Sequence, residues 1–162
     1  MPQSNCVNSE AIKPAAWGRA MWRFLFAVSL QKDSLPLRFD VLVRAVVRGI
    51  PCENCRSHAM QHIRNRRPPL STATGEAFAY VLLFQNGVNG RQGKHDISIE
   101  EALRRYGNVN VRTAAINLAR KLETARPREC AGRAQDIEIF AGNASMRTRS
   151  ANDALAALSN FI

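Results

Sequence analysis

Apolar residues recur at helical intervals through the first two thirds of the chain, and proline and glycine cut that pattern into stretches a few turns long. Met21, Phe24, Leu25 and Val28 fall at i, i+3, i+4 and i+7, one face of a helix opened by Pro14. Lys32 to Pro36 reads as a loop. A second helix is predicted from Leu37 to Gly49, with Phe39, Leu42, Val43, Val46 and Val47 inward and Arg38, Arg44 and Arg48 outward. Gly49-Ile50-Pro51 ends it, because glycine suits a helix end and proline the next start. A third helix holds Cys52 to about Asn65 and stops at Arg66-Arg67-Pro68-Pro69. Ser71-Thr72-Ala73-Thr74 offers N-caps for a fourth, which has Glu76 in its first turn and carries Phe78, Val81, Leu82, Phe84 and the run Asn86-Gly87-Val88-Asn89. Gly90 to Asp96 is a polar loop, and Ser98 with Glu101 has capping-box spacing for a short fifth helix. No segment alternates with the period of a strand. The predicted fold class is therefore all-α: a compact four- or five-helix bundle over residues 14–106, between a loose tail (1–13) and a partly helical C-terminal extension (107–162). Within that extension Val111 to Thr124 has Ala114, Ala115, Leu118 and Leu122 on one side, and Ala154 to Ile162 offers a terminal turn.

A length of 162 residues suits one domain with a core of ordinary size. Lys and Arg number 23 against 13 Asp and Glu, a formal charge of +10. Such a balance points to anionic partners, yet the arginines are spread along the whole chain and no block resembles a nucleic-acid arm. Nucleic acid is accordingly not expected as a partner. The polar first fourteen residues do not read as a signal peptide, and no apolar run approaches a membrane span of about 18–20 residues. The sequence reads as soluble, with neither a membrane partner nor an export address.

The densest chemistry lies at Cys52-Glu53-Asn54-Cys55, directly behind Pro51. Two thiols this close at a helix start can close a small disulfide and reopen it. The unsatisfied N–H groups and the positive end of the dipole favour a thiolate there, and Arg56 adds a cation. Zinc sites use the same spacing, and Cys52, Cys55, His58 and His62 would supply four ligands. All four would then come from about three turns of one helix, whereas zinc ligands normally come in pairs from two separate elements. On the redox reading His58 and His62 are surface residues of the third helix, or at most stand behind Cys55 without touching what it reacts with. Asn86, Gly87 and Asn89 inside a helix cost about 1–2 kcal/mol against alanine, which suggests that a ligand or a close contact offsets the loss.

Three segments then stand in order: Trp17-Gly18-x3-Trp22-x2-Leu25, Pro51-Cys52-x2-Cys55-Arg56-x-His58, and Phe84-x-Asn86-x-Val88-Asn89-x4-Lys94. Over about Pro14 to Tyr106 the chain resembles the Erv/ALR family of FAD-linked sulfhydryl oxidases, especially the short forms encoded by large DNA viruses. The resemblance implies a helical bundle gripping FAD, with Cys52 and Cys55 as the catalytic pair. Cys55 would be the flavin-proximal sulfur, and Cys52 would exchange with thiol-containing protein substrates. Oxygen would be the electron acceptor and H2O2 the product. Trp17 and Trp22, with Gly18 in the same motif, would pack on the flavin and adenine, and Asn86, Val88, Asn89 and Lys94 would line the nucleotide. The family places histidine where Phe26 and Gln85 stand; Phe26 can still stack on a ring and Gln85 can still hydrogen-bond. Members often carry a second Cys-x-x-Cys as a shuttle, and here Cys6 and Cys130 stand alone. The resemblance also implies a homodimer, acting in the host cytoplasm or virion. Two alternatives remain: a catalytically degenerate scaffold of the same fold, and a basic zinc-stabilised nucleic-acid-binding module.

Overall fold

In a computed structural model, which describes residues 10–31, 35 and 37–125, the regular structure is entirely helical, with no strand among those residues. The helices are α1 (Pro14–Ser29), α2 (Phe39–Arg48), α3 (Glu53–Asn65), α4 (Glu76–Arg91), α5 (Ile99–Tyr106) and α6 (Val111–Ala125). Cys6, Cys130, most of the Lys32–Pro36 loop and the segments expected at 127–150 and 154–162 lie outside the described residues. The all-α bundle expected from periodicity is the architecture found.

The arrangement follows from α1. Pro14 begins it, where a missing N–H costs nothing. Its apolar residues go well beyond one stripe: Trp17, Ala20, Met21, Trp22 and every residue from Phe24 to Ser29 are buried. A helix that is apolar on nearly all sides must be surrounded, and α1 packs against α2, α4, α5 and, most extensively, α6. In α6, Ala114, Ala115, Leu118 and Leu122 are buried as their spacing predicted, and they join one continuous core with α1–α5. Asn110 caps α6 by accepting from the Thr113 N–H (3.0 Å).

The helix ends differ from expectation in instructive ways. Helix α2 starts at Phe39, whose N–H is taken by Leu70 O at 3.0 Å. Arg38, at the N-cap, forks onto both carboxylate oxygens of Asp40 (3.0 and 2.9 Å). Helix α4 runs on to Arg91, through glycines that would be expected to loosen it. It is closed by Gly93 at φ +71°, where the left-handed turn lets Lys94 N–H reach Asn89 O (2.8 Å) and Gly93 N–H reach Gly90 O (3.2 Å). These are the two bonds of a Schellman motif, and only glycine adopts that φ without strain. At α5, Ser98 Oγ accepts from Glu101 N–H (3.1 Å), the forward half of the capping box. The Glu101 carboxylate turns instead to Arg104 and Arg105.

Because α6 closes the longest side of α1, truncating its central side chain should unsettle the whole bundle. Leu118 is fully buried, so Leu118→Ala should lower stability by about 2–5 kcal/mol. Chemical denaturation followed by circular dichroism measures this; a loss below about 0.5 kcal/mol, typical of surface positions, would detach α6 from the core.

Candidate active site

The cysteine pair sits at the N-terminal pole of α3. Cys52 is the N-cap, and its Sγ accepts the Cys55 N–H at 3.2 Å, the role a serine or aspartate oxygen usually fills. The two residues are joined as a disulfide, with their Cα atoms 5.2 Å apart. Both are half-buried, open to solvent on one side and against the core on the other. Arg56 donates from Nη1 to Ile50 O (2.8 Å), strapping the Ile50-Pro51 turn to the first turn of α3. A thiolate released at this end therefore meets a backbone N–H of the first turn and the dipole's positive end, both of which favour negative charge.

Cys55, Ala59 and His62 follow at i, i+4 and i+7, a single face of α3. That face meets α4. The His62 ring stacks on Phe84 (centroids 4.4 Å apart, planes at 12°) and stands against the edge of Tyr80 at 5.8 Å. Tyr80 Oη donates to Arg66 O (2.7 Å). A Cβ placed on Gly87 would lie 4.0 Å from His62 Nδ1, so the absent side chain leaves the imidazole room. These contacts set α3 and α4 antiparallel, with Arg66 level with Tyr80 and His62 level with Phe84 and Gly87. Phe84 in turn meets Trp22 of α1 edge-on at 5.2 Å. An aromatic wall thus runs from α1 through α4 to the helix that carries the cysteines. His62 lies two turns beyond Cys55, about 10 Å of helix rise.

His62 is half-buried against α4, while His58 takes the surface place. The His62 Nε2 is buried with no hydrogen-bond partner among the described residues, and so is Gln85 Oε1. Burial lowers the His62 pKa below its ordinary value, and the positive charges of Arg66 and Arg91 push the same way. The imidazole is neutral at neutral pH. Burial also raises Tyr80 to about 12, which keeps its hydroxyl protonated as the donor to Arg66 O. A small cavity of about 320 Å³, lined by His62, Asn65, Arg66 and Leu83, opens beside the ring.

The other expected site residues fall into three groups. Trp17 and Trp22 are buried in α1; the Trp17 indole N–H donates to Ile12 O (2.9 Å), and Gly18, one residue on, has open space around it. Phe26 and Gln85 meet at one residue not expected in the site, Tyr106. Phe26 is wholly buried and stacks on the Tyr106 ring (4.4 Å, planes at 5°), and Gln85 Nε2 donates to the Tyr106 hydroxyl at 3.4 Å. Asn86, Val88, Asn89 and Lys94 gather at the C-terminal end of α4. The Asn86 amide holds both the carbonyl and the N–H of Ile97 (3.1 and 2.9 Å), and Asn89 donates to His95 O (3.5 Å). The close contact implied by two asparagines in one helix is thus in part a clamp on the 92–98 loop. Lys94 and Arg91 are exposed there.

His62 and Trp22 lie directly against Phe84, and the open space beside the His62 ring is the small cavity lined by His62, Asn65, Arg66 and Leu83. Beside Phe84 lie the His62 and Tyr80 rings, with the buried His62 Nε2 and the missing side chain of Gly87, whereas Gln85 Oε1 belongs to the layer around Tyr106. Sequence reasoning did not connect His62 with Phe84, or Tyr106 with Phe26 and Gln85. The spacing of His62 from Cys55 was the available signal for the first. His58 is exposed, while His62 turns to α4, and no three His, Cys, Asp or Glu side chains converge as metal ligands among the described residues. Among those residues no helix is long and apolar enough to cross a membrane. No family model, curated protein or solved structure matches the chain at a significant level.

The buried imidazole makes stability depend on pH. An unfolded His62 takes up a proton near its ordinary value of 6.5, and the folded one only at lower pH. Its contribution is therefore complete above that value and is lost as pH falls through the folded value. The melting temperature should drop between about pH 7.5 and about pH 5, and His62→Phe should flatten that drop. A variant with the wild-type pH slope would show that His62 is protonated equally in both states.

Proposed function

We propose that the chain is an FAD-linked thiol oxidase that forms disulfides in protein substrates, passing the electrons to O2 and yielding H2O2. The observation that carries the reading is the Cys52–Cys55 disulfide, closed across the first turn of α3 on a helix whose inner face leads into an aromatic seam. The resemblance of its three motifs to the Erv/ALR sulfhydryl oxidases supplies the cofactor.

The exchange chemistry follows from the positions of the two sulfurs. A substrate thiolate attacks Cys52 Sγ, the Cys52–Cys55 bond breaks, and Cys55 leaves as a thiolate favoured by the helix terminus. A second substrate thiol, losing its proton, attacks the substrate sulfur of the mixed disulfide. Cys52 is then expelled as a thiolate whose charge is met by the Cys55 N–H. The substrate has gained a disulfide and lost two electrons and two protons, and the pair holds the electrons. FAD, when bound, supplies a two-electron acceptor that O2 can reoxidise. Cys55 is the sulfur suited to face it, sharing its helix face with Ala59 and His62. Trp22, Phe84 and His62 would wall the ring, His62 Nε2 is free to bond a polar edge, and Asn89 with Lys94 would hold the nucleotide end.

One observation favours a second reading, a degenerate scaffold of the same fold. Phe26 and Gln85 close around Tyr106 as a packed layer, filling with the chain's own side chains the two positions where the family has histidine.

The visible spectrum of the purified protein, with oxygen consumption on a reduced dithiol, separates the two. A flavin band near about 450 nm with turnover that Cys55→Ser abolishes is the expected result. Bound flavin without turnover would favour the scaffold. A protein still colourless after refolding with FAD would end the oxidase reading.

A further inference from the structure

We infer that the cleft between α1, α5 and α6 binds the phosphodiester backbone of a nucleic-acid strand. It measures about 680 Å³ and is lined by Arg23 of α1, Arg104 and Arg105 of α5 and Arg120 of α6, with the amides of Asn108 and Asn117 between them. Among the described residues no carboxylate lines it. Arg23 is the one exposed residue between Met21 and Ser29, so α1 reaches solvent here through a guanidinium. Glu101 holds Arg104 and Arg105, the latter at 2.7 Å, and one carboxylate against two cations leaves that side positive. Arg23 and Arg120 have no ion-pair partner among the described residues.

The chemistry selects the occupant. Guanidinium forks match phosphate oxygens bidentately, and asparagine amides are common donors to phosphate and sugar. Four such cations drawn from three helices suit a repeating anion better than a single one. Among the described residues no aromatic side chain lines the cleft, so they offer bases nothing to stack on and binding would be independent of sequence. Pockets for small heteroaromatic ligands are mostly apolar and aromatic, unlike this one. The four arginines are scattered along the chain, which is why no basic block announced them; folding alone brings them to one cleft.

The test is fluorescence anisotropy of a labelled oligothymidylate of about 20 nucleotides, longer than a typical single-domain site, titrated with the full-length protein across a series of NaCl concentrations. Binding should weaken steeply with salt. Arg23→Ser combined with Arg120→Ser should weaken it several-fold and reduce the log–log salt slope by about 1.4, two contacts at about 0.7 each for a single strand. Both side chains are exposed, and an unchanged circular-dichroism melt verifies the fold. Arg64→Ser combined with Arg67→Ser removes the same charge at the far end of α3 and should leave the slope as in wild type. Absence of binding by the wild-type protein would overturn the proposal. So would equal losses in the two double variants, or calorimetric binding of tripolyphosphate with none of the oligonucleotide.

Discussion

Everything in this fold depends on the near-complete burial of α1. Phe24, Leu25, Phe26 and Val28 have no exposed surface at all, and fully burying side chains of that size stabilises by about 1.5–3 kcal/mol each. A helix with that demand must be wrapped, and the remaining helices are arranged to wrap it. Helix α6 closes the longest side, α4 brings Phe84 against Trp22, and α5 brings Tyr106 against Phe26. Arg23 marks the gap where the cleft opens.

The cysteine helix is held differently. Helix α3 buries only Ala59 and Ile63, leans on α2, and meets α4 through the His62 and Tyr80 rings. Its start is fixed by local devices: Cys52 as its own N-cap, and Arg56 strapped to Ile50 O. This division suits exchange chemistry. A reactive pair needs an accessible sulfur on a rigid base, and a helix on the outside of a firm core offers both. His62, neutral and unsatisfied at Nε2, is a cost of about 1–3 kcal/mol in a buried polar atom. Within the proposed function that cost is offset when a ligand edge supplies the missing bond.

How far the sequence was legible depended on whether the physics was local. Spacing alone located α2 through Leu42, Val43, Val46 and Val47, and α6 through Ala114, Ala115, Leu118 and Leu122, because a helical stripe is written in neighbouring residues. The cysteine pair at a helix start was legible for the same reason. The end of α4 was placed two residues early, at Asn89, since Gly90 argued for a loop while the left-handed Gly93, further on, made the actual stop. What could not be read was pairing between distant segments. Phe26 with Tyr106, His62 with Phe84, and the arginines of the cleft meet only through tertiary packing.

The central claim is that Cys52 and Cys55 form a working redox couple rather than a structural tie. Equilibrating the native protein in glutathione buffers of graded potential, then alkylating free thiols and weighing the products, tests it most directly. The account predicts a reversible two-electron transition of this pair at a potential above about −300 mV, outside the range of structural disulfides. A pair that stays oxidised below that potential in the folded protein, or thiols that fail to close again in oxidising buffer, would contradict it.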